Sequence, residues 1–119
     1  MTGSLETGDA IAAEGAVAPR VTLDGMKARI AQEHYFTAGD AIDVLHINAN
    51  PAPSLDVLTI CVLVLDNGWT LLGKSAPASP ENFDPEKGKL FAYEDALRQL
   101  WPLEGYLLRD RLAAEQETG

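Results

Sequence analysis

The sequence predicts a single small α+β domain: an antiparallel β-hairpin or three-stranded sheet packed with an N-terminal helix and a long, proline-kinked C-terminal helical region. Three observations predict it. Residues 55–65 are β-branched and aliphatic with no charge after Asp56, and they run into Asp66-Asn67-Gly68, a tight-turn signal that supplies positive φ. Residues 23–35 and 85–113 place apolar side chains at helical spacing behind capping residues. The chain has 119 residues, 46% of them apolar and 23% charged, enough for one hydrophobic core and no more.

Residues 1–20 are Gly, Ala, Thr and Glu with scattered apolar positions and no sustained period, which predicts a mobile tail. A helix is expected over 23–35. Thr22 caps it, Val21 and Met26 stand at staple spacing, Leu23, Met26 and Ile30 form its apolar stripe, and Gly39 lies just past its end. Residues 37–54 read as a loop with a possible short edge strand through Ile42, Val44, Leu45 and Ile47, broken by Asn48, Asn50, Pro51 and Pro53. The hairpin follows, its second strand at 69–75.

Both faces of the first hairpin strand are apolar. Leu58, Ile60, Val62 and Val64 point one way and Val57, Cys61, Leu63 and Leu65 the other. So short a chain struggles to cover both faces, so a homo-oligomer sharing a sheet surface or edge is expected. Ser79-Pro80 and Asp84-Pro85 each set a capping residue before a proline, predicting a short turn and then a long helix. Leu90, Tyr93, Leu97, Leu100 and Trp101 carry its buried stripe. Pro102 then kinks it or opens a new helix over 102–113, where Leu103, Leu107 and Leu108 continue the pattern. The domain is thus placed at 21–113, with a second tail at 114–119.

A net charge of −9 argues against direct nucleic-acid binding, because affinity there rests on Lys and Arg neutralising phosphates. Mimicry of nucleic acid also fits poorly, since Lys87, Lys89, Arg98, Arg109 and Arg111 are interspersed among the carboxylates. The longest apolar run, 60–65, falls far short of the roughly 18 residues of a membrane helix. The first ten residues lack the basic and apolar regions of a secretory signal, and Cys61 has no second cysteine to pair with, so the cytoplasm is the expected compartment.

No phosphate loop, nucleophile elbow or zinc-ligand spacing occurs, so no enzymatic activity, cofactor or metal is expected. Cys61 lies in the most apolar strand and reads as a core thiol. His34 and His46 read as surface or helix-end residues, although Glu33, Asp40 and Asp43 stand between them. Ser79, Asn82 and Asp84 gather where a helix N-terminus could meet a small anion, with capping as the plainer use. The run Trp101-Pro102-Leu103-Glu104-Gly105-Tyr106 sets two large aromatics around a helix break, with a glycine that permits close backbone approach. It reads first as a core hinge and second as a partner surface.

The hydrophobic strand with its Asn67-Gly68 turn, the Ala78-Ser79-Pro80-Glu81-Asn82-Phe83-Asp84 segment, Gly88 and the 101–106 run occur in an order that resembles small phage and prophage proteins grouped with gene product 49 of phage N4. Residues 20–40 also resemble that family's opening helix. The resemblance spans about residues 20–113. It implies a phage or prophage origin and supplies no catalytic residue. The function expected is a non-enzymatic accessory module that binds a host or phage protein through a surface including Asn82, Phe83, Asp84, Trp101, Glu104 and Tyr106. Two alternatives stand beside it: an oligomer that sequesters a nucleotide signal near Ser79, and a structural or assembly component.

Overall fold

Alternation along the central strand decides where the sheet lies. A computed structural model of the chain describes residues 3–45 and 51–118. Its sheet has the order β1-β2-β3, with β1 at Ile30–Thr37, β2 at Thr59–Leu65 and β3 at Thr70–Ser75, all antiparallel. Along β2 the odd positions Thr59, Cys61, Leu63 and Leu65 are buried and the even ones half-buried. The expected α+β architecture is therefore present in its three-stranded form.

The hairpin turn forms where Asn67-Gly68 predicts it. The Gly68 N–H donates to the Leu65 carbonyl at 2.9 Å and Gly68 takes φ 88, after which Leu65 N–H closes on Trp69 O at 2.8 Å. That is a three-residue hairpin connection, for which glycine is the residue of choice at the left-handed position.

One helix covers the buried face. α4, Pro85–Arg98, starts where Asp84 accepts the amides of Glu86 and Lys87 at 3.0 and 3.3 Å. Its buried stripe contains Gly88, Ala92, Ala96 and Leu97, with Leu100 just beyond, while Leu90 and Tyr93 are only half-buried. The small residues matter because the helix backbone lies directly on the sheet. A β-carbon at Gly73 of β3 would fall on the Ala92 carbonyl oxygen and on Ala96, and one at Gly88 would lie 2.6 Å from Thr59 Oγ1.

Several expectations are corrected. The helix predicted over 23–35 stops early: α2 is Leu23–Ala28, capped by Thr22, whose hydroxyl accepts Gly25 N–H at 3.0 Å. Residues 30–37 form β1 because β2 needs a partner on each edge, and Tyr35-Phe36-Thr37 suits a pleated surface better than a helix. Gly39 ends no helix; it is buried inside α3, Ala38–Leu45, where Asp56 packs against it. Ile42, Val44 and Leu45 are helical there, and Ile47 with Asn48 and Asn50 lies outside the described residues. A 3-10 turn, Pro53–Val57, leads into β2.

The two ends differ from the tails expected. α1, Ser4–Ala13, inserts Leu5 into the core, and Asp9 accepts both Arg20 Nη1 and Leu23 N–H at 2.9 Å. A single buried anchor and two ion pairs, Asp9 with Arg20 and Glu6 with Lys27, leave no apolar period to detect. α4 ends at Arg98 and α5, Leu100–Thr118, follows at once. Pro102 falls in the first turn of α5, where an amide has no intrahelical acceptor to lose, so it begins a helix as one of the two readings allowed. The Leu, Ala, Arg, Glu and Gln content of 107–117 continues it past 113. The radius of gyration is 18.0 Å, against about 13–14 Å for a compact chain of this length, and the extents are 63 × 29 × 18 Å. No helix among the described residues is long and apolar enough to cross a membrane.

Candidate functional site

The bend between α4 and α5 brings the first turns of α5 beside the hairpin tip. Arg29, at the end of α2, ties the three elements together. Its guanidinium donates to Asp66 Oδ1 at 2.8 Å and to Glu104 Oε1 at 2.5 Å, while its backbone carbonyl accepts Asp66 N–H at 2.8 Å. The hydrogen bond to Asp66, with the Glu104 charge, raises the basicity of Arg29 further above its already high value. The pairing leaves one negative charge in excess, since one cation faces two carboxylates that differ in exposure, Glu104 being the more buried.

Above this ion cluster opens a cleft of about 240 Å³. Leu65 and Leu100 form its base. Its walls are Trp69 from the hairpin tip and Leu103, Tyr106 and Leu107 from α5. Those three helix residues stand at i, i+3 and i+4, one ridge of a helix surface. They are large, apolar and uncovered: Trp69 is 57% exposed, Leu103 41%, Tyr106 70% and Leu107 51%. A contiguous patch of this kind differs from apolar residues scattered singly over a surface.

A second, smaller cavity of about 160 Å³ lies at the opposite end of α4, among Asn82, Phe83, Asp84, Lys87, Gly88 and Phe91. Asp84 is engaged there as the helix cap. Ser79 does not line this cavity, and its side chain caps nothing; its carbonyl accepts Asn82 N–H at 2.9 Å in the 3-10 turn Pro80–Asn82. The anion-facing cluster expected around Ser79, Asn82 and Asp84 thus offers one capping carboxylate and one nearby cation, Lys87.

The candidate surface named from sequence therefore divides. Glu104 and Tyr106 belong to the apolar cleft, and Asn82, Phe83 and Asp84 to the other cavity, with the 14 residues of α4 between them, about 20 Å of helix. Trp101 is half-buried against the core. Gly105 admits no close approach among the described residues, since a β-carbon there would meet nothing within 4 Å. Arg29, Trp69, Leu103 and Leu107 carry the cleft and escape the sequence reading. The signal available was Trp69 directly after Asn67-Gly68, a large aromatic at a turn tip where burial is difficult.

The remaining titratable groups lie under the sheet. Burial pushes the Cys61 thiol up to about 11 and Tyr93 up to about 12, and it raises Tyr35, whose hydroxyl donates to Glu33 Oε1 at 2.8 Å. A thiol held protonated in a core is a packing group. His34 sits exposed on β1 with Nε2 3.1 Å from Gln32 Oε1, and His46 lies outside the described residues.

A model of the phage protein (N4 Gp49/phage Sf6 gene 66) family matches residues 21–112. No curated protein and no solved structure matches the chain.

Proposed function

The chain belongs to the phage protein (N4 Gp49/phage Sf6 gene 66) family, and from that premise we propose that it is a non-enzymatic accessory module that binds a protein through the cleft between the hairpin tip and α5. The observation that carries this reading is the exposed ridge of Leu103, Tyr106 and Leu107 facing Trp69 beside the Arg29–Glu104 ion pair. Aromatic side chains with one wet edge supply much of the energy at protein interfaces, and the charged groups lining the cleft, Arg29 and Glu104, are already paired with each other, so an apolar anchor can enter beside them. The fitting occupant is an amphipathic helix of a phage or host protein that lays apolar side chains between Trp69 and the α5 ridge.

The small cavity near Asn82 suits a nucleotide less well, because Lys87 is the one cation lining it and Asp84 stands beside it. The test is capture from phage-bearing cells with three proteins: the native chain, a Trp69→Ala/Tyr106→Ser variant, and an Asn82→Ala/Lys87→Ala variant. Loss of a stoichiometric protein partner in the cleft variant alone is the expected result. A partner retained by the cleft variant and lost by the other moves the site to the α4 start.

A further inference from the structure

The sheet has two edges, and the structure treats them differently. Ladder geometry identifies the outward-facing groups. Leu65 N–H donates to Trp69 O, so the odd residues of β2 bond to β3, and the outward groups of β3 belong to Thr70, Leu72 and Lys74. α4 occupies two of these: Asp95 Oδ2 accepts Lys74 N–H at 2.9 Å, and Gln99 Nε2 donates to Leu72 O at 2.7 Å. Side chains thus close the β3 edge against further strands.

The β1 edge has no such cover over its middle. Ala38 N–H donates to Leu58 O, which continues the β1–β2 register and assigns the even residues of β1 to β2. The outward groups belong to Glu33, Tyr35 and Thr37, and of these Thr37 N–H is taken by Asp40 at 3.3 Å. Among the described residues no group bonds to the outward backbone of Glu33 or Tyr35. Of the usual guards the strand carries one charge, Glu33; it contains no proline and no lysine, and its register irregularity lies at its first residues, between Ile30 and Gln32.

We infer that two copies of the chain pair antiparallel along β1 with His34 on the two-fold axis, joining their sheets into one of six strands. Parity allows any residue to lie on the axis, and only His34 pairs the two free outward residues, Glu33 and Tyr35, with each other. Centring on Glu33 would set two carboxylates directly opposite each other, which destabilises a strand pair. Centring on His34 sets Glu33 opposite the second copy's Tyr35, and these two residues exchange backbone hydrogen bonds on both sides of the axis. The Tyr35 hydroxyl that now bonds Glu33 within one strand can then bond it across the pair, and Gln32 meets the second copy's Phe36 on the open face. The self-complementary hydrogen-bond pattern, a Tyr35 donor and a Glu33 acceptor placed symmetrically about His34, is what selects a second copy as the occupant. This edge is separate from the cleft, so its test is independent of partner capture.

Sedimentation over a wide concentration range is expected to show mass rising from 12.8 kDa towards twice that value. Glu33→Pro removes an outward N–H and leaves the β1–β2 ladder intact, so it should stay monomeric with an unchanged circular dichroism spectrum. On mild oxidation His34→Cys should give a disulfide-linked dimer, because non-hydrogen-bonded antiparallel pairs hold their α-carbons about 4.5 Å apart. Glu33→Cys should give little. A native chain that is monomeric throughout, a folded Glu33→Pro variant that dimerises normally, or Glu33→Cys cross-linking better than His34→Cys would each overturn the pairing. If Glu33→Pro does not fold, the two cysteine variants decide.

Discussion

α4 and α5 are consecutive helices that use apolar residues in opposite ways. α4 buries Gly88, Ala92, Ala96 and Leu97, mostly small groups, and its backbone lies on the sheet. α5 carries larger ones, Leu103, Tyr106 and Leu107, and leaves them exposed beside Trp69. Hydrophobicity alone would assign the core to α5. Close approach assigns it to α4, because a helix whose facing side chains are hydrogens and methyl groups can bring its whole surface against a strand that is itself glycine at the contact. Leu100 and Trp101 at the start of α5 still reach the core, whereas Leu103, Tyr106 and Leu107 stay exposed along the cleft.

The strongest way to break this contrast is at Gly73. Gly73→Ala places a methyl group on the Ala92 carbonyl and on Ala96, which are backbone and helix-core atoms that cannot rotate aside. Overpacking of this kind costs about 3 kcal/mol or more when backbone must move. Denaturant unfolding should show that loss, whereas Gly105→Ala in α5, with open space around it, should gain about 0.5–1 kcal/mol from helix propensity.

A smaller effect of opposite sign is expected at the other end of the same contact. Thr59 Oγ1 is buried against Gly88 with no hydrogen-bond partner among the described residues. Thr59→Val keeps the shape and removes the orphaned hydroxyl, so the melting midpoint should rise, by about 1 kcal/mol of stability. A fall would mean that the hydroxyl is satisfied in solution.

What could be read from sequence follows the range of each interaction. The hairpin is legible because Asn67-Gly68 and the apolar run before it are local, and Asp84 is legible as a cap because its partners are the next two amides available. β1 is not, since Leu23, Met26 and Ile30 fit a helical stripe and the strand exists only because distant β2 has an unpaired edge. α1 rests on Leu5, Asp9 and a contact with Arg20, too few positions to set a period. At the cleft, Tyr106 and Glu104 announce themselves within one short run. Arg29 and Trp69 join them only through the turn at Asp66 and the bend at Gln99, which no spacing in one segment encodes.

The attachment of α1 is sensitive to acid. The Arg20 hydrogen bond first, and the Leu23 amide second, hold the Asp9 carboxyl below its ordinary value. A carboxylate depressed in the folded state contributes stability that is complete above its unfolded value, near 3.8, and is lost as the pH falls through the lower folded value. Asp9→Asn should therefore be less stable than the native chain at neutral pH. The difference should shrink as the pH drops through 3.8 and below, read from paired unfolding curves. A difference that persists in acid would assign the contribution of Asp9 to its hydrogen-bond geometry, which Asn could not reproduce.

The smallest expected change in stability is also the most informative about the α5 ridge. Tyr106 is 70% exposed and Trp69 57%, so Tyr106→Ser alone should shift unfolding by no more than about 0.5 kcal/mol, the range of ordinary surface substitutions. If the ridge is a docking surface, the same variant should weaken partner binding by ten-fold or more, since removal of a central aromatic anchor commonly costs over 1 kcal/mol of binding energy. Stability and binding would then separate at a single residue, whereas at Gly73 they must fall together. A Tyr106→Ser variant that loses substantial stability would show that α5 folds back on the hairpin tip more tightly than its exposure implies. The ridge would then be a second core contact, and the distinction between the two helices would be one of degree.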